Sequence, residues 1–219
     1  MIIAIDGPAG AGKSTIAKLI AKKLGLVYID TGAMYRAVGL KAKREGIACS
    51  EAEKIDVMLQ NTDVELKNED GATAVYLDGE NVSKEIRLPE ISRMASDISA
   101  VPAVRYAMVE MQRAMAKKTD TVLDGRDIGT FVLPNADVKI FLTASVDERA
   151  QRRFKELVER GENVTIEEVR GDIEKRDYND SHRALAPLKK ADDATEVDST
   201  GMTVEQVCNR IIEIVRNAK

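Results

Sequence analysis

The sequence predicts an α/β chain: a five-stranded parallel sheet with helices on both faces, and an inserted subdomain with a small antiparallel sheet. Three observations predict it. Five short runs (2–5, 27–29, 121–123, 138–142 and 194–198), all but the last plainly apolar, alternate with helical stretches, the pattern of strands buried in a parallel sheet. The second and third runs are separated by positions 30 to 120, where a crossover needs only about a dozen residues. Inside that interval two Asp-Gly pairs, at 70–71 and 78–79, sit among alternating apolar and polar residues, a signal of antiparallel hairpins.

Each element has its own reason. Ile2 to Ile5 is an apolar run closed by Asp6 and Gly7, hence a buried strand. From Ser14 to Leu24 apolar residues recur at helical spacing and Gly25 stops them. Val27 to Ile29 is the second strand, and Tyr35 to Arg44 the next helix, ended by Gly46. Ser50 with Glu53 predicts a capping box for a helix reaching about Asn61. Val64, Leu66, Val75 and Leu77 then alternate as hairpin strands, and helical spacing returns over Leu88–Asp97 and Ala103–Lys117. After the third and fourth strands, Ser145 with Glu148 and Thr165 with Glu168 announce two helices, the second reaching about Asp180. A basic loop, a fifth strand and a last helix from Thr203 to Val215 close the chain.

Composition narrows the function classes. The chain has 219 residues, is 44% hydrophobic and 32% charged, and carries a net charge of −4. Mixed charge with this much apolar content argues for a folded domain, and the acidic balance argues against a dedicated nucleic-acid binder. Cys49 and Cys208 stand alone and His182 is the only histidine, so a zinc site is not expected. No signal peptide is recognised, and no apolar run approaches the roughly 18 residues of a membrane span. Two isolated cysteines fit a reducing compartment, and a cytoplasmic location is expected.

The most specific local signal is G-P-A-G-A-G-K-S, Gly7 to Ser14, a full match to G-x-x-x-x-G-K-[ST]. It follows a predicted strand and opens a helix, the context the motif needs. Gly7, Pro8, Ala9, Gly10, Ala11, Gly12, Lys13, Ser14 and Thr15 would cradle a triphosphate, their backbone N–H groups (all but Pro8 carry one) converging on it at a helix N-terminus. Lys13 would reach the β- and γ-phosphates, and Ser14 would hold Mg2+. Neither N-K-x-D nor S-G-G-Q occurs, and the one D-x-x-G, Asp198 to Gly201, follows the fifth strand. A GTPase or an ABC-type ATPase is thereby disfavoured.

Ligands of an open α/β sheet sit outside the carboxyl ends of its strands. I-D-T-G-A-M-Y-R, residues 29–36, leaves the second strand and L-D-G-R-D-I-G-T, residues 123–130, ends the third. Thr31, Tyr35, Arg36 and Arg126 are therefore candidates for an acceptor site, with two guanidinium forks able to clamp one phosphate. The bland alternatives are a solvated Arg36, a packed Tyr35, and an Arg126 locked in an internal ion pair with its neighbours Asp124 and Asp127.

The stretches I-D-G-P-A-G-A-G-K-S-T, I-D-T-G-A-M-Y-R, D-G-R-D-I-G-T, K-I-F-L-T-A and H-R-A-L-A-P-L run in order through the chain. Together they resemble the bacterial cytidylate kinases over residues 2–217. The resemblance implies a P-loop nucleoside monophosphate kinase fold and transfer of the γ-phosphoryl group of ATP to CMP or dCMP. It implies a core of 1–30 and 119–219, a monophosphate-binding region 31–118 with an insert at about 62–101, and a short lid at 181–190. It assigns the cytosine contacts to Ser96, Arg105 and Asp127, sugar contacts to Arg176 and Asp180, and a phosphate contact to Arg183. Arg149 and Arg153 would lie over ATP, with an exposed face paired to Glu148 or Glu156 as the bland alternative. Asp124 would hold Mg2+ through water. ATP and CMP or dCMP are the implied partners, with neither nucleic acid nor membrane, and a monomer is implied. Rival readings are a kinase for UMP, AMP or another small acceptor, and a P-loop regulatory ATPase.

Overall fold

β1 (Ile2–Asp6) lies at the centre of a five-stranded sheet, flanked by β6 (Thr121–Gly125) and β7 (Val138–Thr143). β2 (Val27–Asp30) and β8 (Thr195–Asp198) are the edge strands, giving the order β2-β6-β1-β7-β8. The β1–β6, β1–β7 and β7–β8 pairings are parallel. Register decides which side chains meet: Ile5 stands opposite Asp124, and Asp6 opposite Gly125 and Phe141. The computed structural model describes residues 1–69 and 72–218. The Asp-Gly pair at 70–71 lies outside them.

The chain forms two units, Met1–Tyr28 with Thr119–Lys219, and Ile29–Lys118. In the first, α1 (Lys13–Leu24) and α8 (Val204–Asn217) pack together. Ile3, Ile5, Ile16, Ile20, Ile140, Leu142 and Ile211 fill the core between sheet and helices. Burying each such side chain stabilises by about 1.5–3 kcal/mol, which is why these short strands need no alternating pattern. A smaller apolar cluster of Ala150, Val169 and Ile173 joins α6 (Val146–Glu159) to α7 (Ile166–His182). The Thr165–Glu168 box caps α7 with both reciprocal bonds, and Thr203 with Gln206 does the same for α8. Ser145 accepts from Glu148 N–H at the start of α6.

The second unit holds α2 (Thr31–Arg44), α3 (Ala52–Gln60), α4 (Pro89–Ile98) and α5 (Pro102–Ala116). Its own antiparallel sheet runs β3 (Val64–Glu69), β4 (Ala72–Leu77) and β5 (Glu80–Asn81). The Asp-Gly pair at 78–79 makes the turn between β4 and β5, as its sequence predicts. Lys41 of α2 reaches Asp78 Oδ2 at 2.6 Å and the Asn61 carbonyl, tying helix to hairpin.

Two helix starts differ from the sequence prediction. α2 begins at Thr31 rather than Tyr35, because Asp30 caps it by accepting from Ala33 N–H at 2.8 Å. α3 begins at Ala52 with Glu51 at the cap position. Glu51 bonds back to Ala48 N–H, so the Ser50–Glu53 box does not form the start. One element escaped the sequence altogether, a single wide turn of helix at Ile128–Val132 directly after β6.

Candidate active site

The motif Gly7 to Ser14 runs from the end of β1 into the first turn of α1. Gly7 leaves the strand at φ 151°, where an added Cβ would overlap the Leu142 carbonyl of β7. That close passage is what only glycine allows. The motif's hydroxyl, on Ser14, donates to Asp124 Oδ2 at 2.8 Å. The other carboxylate oxygen of Asp124 accepts from Tyr28 hydroxyl at 2.7 Å. A buried tyrosine hydroxyl needs a partner, and Tyr28, absent from the sequence-derived candidates, supplies one that orients Asp124. Ser14 and Asp124 thus bring two hard oxygen donors together, the type Mg2+ prefers. Among the described residues no group of three or more His, Cys, Asp or Glu side chains is arranged to hold a metal ion.

Lys13 is buried, and its ammonium donates to the Pro8 carbonyl at 2.7 Å. Burial and the nearby Arg126 guanidinium push its pKa well below the usual lysine range, with Arg176 adding to the push and Asp124 and Asp180 opposing it. A phosphate chain in the loop would supply the counter-charge that this ammonium is missing.

The three charges of D-G-R-D look outward to distant partners. Asp124 meets Ser14 and Tyr28 as above. Arg126 Nε donates to Asp180 Oδ2 at 2.7 Å, and Asp127 Oδ1 meets Arg183 at 3.1 Å. The ion pairing anticipated among near neighbours is instead made with α7 and the segment that follows it. Burial works against the Arg126 charge, but Asp180, with Asp124 and Asp177 behind it, holds the guanidinium above its ordinary pKa. Burial likewise works against Asp180, yet Arg126, Arg176 and Arg183 leave its carboxyl below the usual range. Arg183 also donates to the Ala186 carbonyl at 2.6 Å, folding the 183–186 turn on itself. Arg176 is half-buried on α7, its charge felt at both Lys13 and Asp180.

Arg149 and Arg153, four apart on α6, do different things. Arg153 pairs with Glu156 at 2.8 Å, the bland alternative for that position, while Glu148 pairs with Arg152. Arg149 is buried and spends its donors on the protein: Ala144 carbonyl at 3.0 Å, Ala9 carbonyl at 2.8 Å and Asp177 Oδ2 at 2.5 Å. Asp177 Oδ1 in turn accepts from Ala9 N–H at 3.1 Å. The Arg149–Asp177 pair therefore grips both polar groups of one phosphate-loop residue. Sequence reasoning missed Asp177, whose partner lies 168 positions away.

The remaining candidates belong to the second unit. Thr31 is buried at the first position of α2, and Tyr35 follows one turn later. Arg36 lies 3.5 Å from Asp30 Oδ1, so it is not simply solvated. Arg105 is 1% exposed. Its guanidinium stands 5.4 Å from the Tyr35 ring centroid, within cation–π range, and its Nε donates to the Ser99 carbonyl at 3.1 Å. Ser99 hydroxyl donates to the Ser96 carbonyl at 2.8 Å. Tyr35, Arg105, Ser99 and Ser96 thus form one connected set, with Ser99 the member the sequence did not single out.

The chain matches the family model for cytidylate kinase over residues 3–217. It is 53% identical over 212 residues to a cytidylate kinase of Caldicellulosiruptor saccharolyticus, covering 97% of this chain and 94% of that one. A cytidylate kinase of Lactobacillus johnsonii is 51% identical over 216 residues, covering 99% and 94%. Among solved structures, an uncharacterised protein from Eubacterium ventriosum shares the fold with a TM-score of 0.55 at 14% identity, covering 99% of this chain and 98% of that one. Likeness at this level along nearly the whole of both sequences, over a phosphate loop whose serine touches the D-G-R-D strand end, places this protein in the cytidylate kinase family.

Proposed function

We infer that this chain is a (d)CMP kinase, moving the γ-phosphoryl group of ATP to CMP or dCMP to give CDP or dCDP. The observation that carries this reading is the junction of Ser14 with Asp124. It sets the triphosphate loop beside the strand end from which Arg126 and Asp127 project.

The attacking oxygen belongs to the acceptor phosphate and is already anionic. No strong general base is needed, and catalysis is positioning and charge neutralisation. The phosphate-loop N–H groups and Lys13 hold the donor phosphates. Lys13 exchanges the Pro8 carbonyl for a phosphate oxygen, whose negative charge favours the ammonium. Ser14, with Asp124 behind it, would hold the Mg2+ that accompanies ATP, which would supply charge neutralisation at the donor phosphates. Arg126 and Arg183 collect around the acceptor phosphate and the group in flight, with Thr31, Tyr35 and Arg36 as further acceptor contacts and Arg176 at the sugar. Asp180 accepts from a sugar hydroxyl. Arg149 serves the donor site by fixing Ala9, and Arg153 is its solvent-side guanidinium. The segment 181–190 acts as the lid, and its closure excludes water that would otherwise take the phosphoryl group.

Base choice follows from donor and acceptor patterns. A carboxylate at Asp127 accepts from the cytosine N4 amino group, and Arg105 donates to O2 or N3, with Ser96 beside it. Uracil would oppose the carboxylate with O4 and the guanidinium with N3–H, at about 1–3 kcal/mol per mismatched buried group. Discrimination is therefore partly repulsive. An acceptor panel with ATP and Mg2+ tests the reading. CMP and dCMP should be phosphorylated well and UMP and AMP poorly. Preferred use of AMP, or ATP hydrolysis indifferent to any acceptor, would overturn it.

A further inference from the structure

Asp6 ends β1, directly before the phosphate loop, and the mechanism above gives it no part. It is 5% exposed. Both of its carboxylate oxygens accept backbone N–H groups from beyond β6: Ile128 to Oδ1 at 2.8 Å and Gly129 to Oδ2 at 2.7 Å. These are the first two N–H groups of the wide turn Ile128–Val132. Leading N–H groups of a helical turn have no partner within it, and the residue at the cap position normally supplies one from its own side chain. The residue in that position is Asp127, one of the preferred capping types, yet its side chain makes no capping bond. Its Oδ1 is turned to Arg183 instead.

We propose that Asp6 caps the 128–132 turn in place of Asp127, and that it is thereby a positioning residue that keeps the Asp127 carboxylate available to read the acceptor base. The inference rests on the reading of Asp127 as the cytosine contact. Without Asp6, two buried N–H groups would stand without an acceptor, which folded chains avoid. Asp127, at the cap position, carries the side chain placed to answer them, and it would turn back into the ordinary capping role.

The surroundings hold Asp6 to this task. A methyl group on Gly129 would stand 3.4 Å from Asp6 Oδ2 and 3.1 Å from Lys139 Cδ. Lys139 is itself fixed by Asp193 at 2.7 Å and by the Pro134 carbonyl at 2.5 Å. The turn is therefore wedged between the Lys139 stem and the Asp6 carboxylate. Keeping the carboxylate there has a cost. Burial drives its pKa up to about 6, against the pull of the two backbone bonds, and the Asp127 charge adds to the rise while Lys13 opposes it.

The test is Asp6→Asn, which keeps size but sets an amide N–H2 against one of the two backbone donors. Steady-state kinetics should show the ratio of kcat/KM for CMP over UMP falling about tenfold, the equivalent of one unpaired group. The fall should come from a raised KM for CMP, with KM for ATP unchanged. Placed in an Asp127→Ala background, Asp6→Asn should lower the ratio no further. If Asp127→Ala lowers the ratio and Asp6→Asn does not, the positioning role is overturned and the base reading stands. If Asp127→Ala leaves the ratio intact, the base reading falls and the positioning role with it. A further fall in the double variant would show that Asp6 does not act through Asp127. Should Asp6→Asn lose its far-UV circular dichroism, Gly129→Ala presses on the same contact from the other side. It should reproduce the loss of selectivity, and an equal rise in KM for both substrates would overturn the proposal.

Discussion

Asp127 carries the sharpest residue-scale prediction, because its carboxylate meets Arg183 at 3.1 Å in the structure and would meet the cytosine amino group in the proposed complex. Asp127→Ala removes both the attraction for cytosine and the repulsion of uracil. The CMP/UMP ratio in kcat/KM should narrow by roughly 5- to 150-fold, the span of about 1–3 kcal/mol. An unchanged ratio would remove Asp127 from base reading. Asp6 gives a pH-dependent prediction. Its folded pKa of about 6 lies above the ordinary carboxylate value of 3.8, so the folded state binds more protons than the unfolded state between those values. Wild-type stability therefore declines as pH rises through that window, where a carboxylate with a lowered pKa would do the reverse. Against Asp6→Asn, which cannot titrate, the wild type should lose on the order of 3 kcal/mol of relative stability between about pH 4 and pH 7. Urea melts of the two proteins at both pH values check it, and a constant difference would refute it. Neither role can be read from neighbours in sequence. D-G-R-D announces charged groups at a strand end, but Asp124, Arg126 and Asp127 find their partners at Ser14, Asp180 and Arg183. Only the strand register and the packing of α7 bring those partners near.

At the scale of elements, local codes in the sequence were strong where a helix carries its own cap. Thr165 with Glu168 forms the reciprocal bonds that its spacing announces, and Thr203 with Gln206, a pair the sequence reading did not single out, does the same. The code failed where another element supplied the acceptor or the cap moved by a residue, as at the start of α3 and at the Ile128–Val132 turn. α7 is the element whose function was least legible. The resemblance marks Arg176 and Asp180 there as sugar contacts, yet in the structure Asp177 and Asp180 hold Arg149 and Arg126. Asp177→Asn tests that link. The buried Arg149 would lose its counter-charge, and an amide N–H2 would face one of the two donors, Ala9 N–H or the Arg149 guanidinium. Breaking a fully buried pair costs about 3–5 kcal/mol, and a partly exposed Asp177 places the loss at or below about 3 kcal/mol. KM for ATP should rise more than KM for CMP, because Ala9 belongs to the phosphate loop. An equal rise in both would assign Asp177 to the fold alone.

On the scale of the whole molecule, nucleotide binding should appear as stability. A ligand at 100 times its Kd that binds only the folded state adds about 2.7 kcal/mol. For a chain of this size that corresponds to a rise in Tm of roughly 5–11 °C. Saturating ATP with Mg2+ and saturating CMP should each raise Tm, and UMP at the same concentration should raise it less. A Tm indifferent to CMP would count against the acceptor assignment while leaving the phosphate loop untouched. No helix among the described residues is long and apolar enough to cross a membrane.

The phosphate-loop motif, the α/β alternation and the hairpin region are legible in the chain alone, because each is written in residues close together: glycines that free N–H groups, apolar runs of strand length, and paired caps. The identities of the charged groups at the strand ends were equally local. The tertiary structure alone decided what those charges touch. Asp6 caps a turn 122 positions away, Tyr28 orients Asp124, Asp177 grips Ala9, and Ser99 links Arg105 to Ser96. A hydrogen bond or ion pair is set by distance and direction in space, and no spacing along the chain encodes a partner on another strand or helix. The sheet order and the packing of α7 in the first unit, and the packing of α5 within the second, supply those distances and give the charged groups their partners.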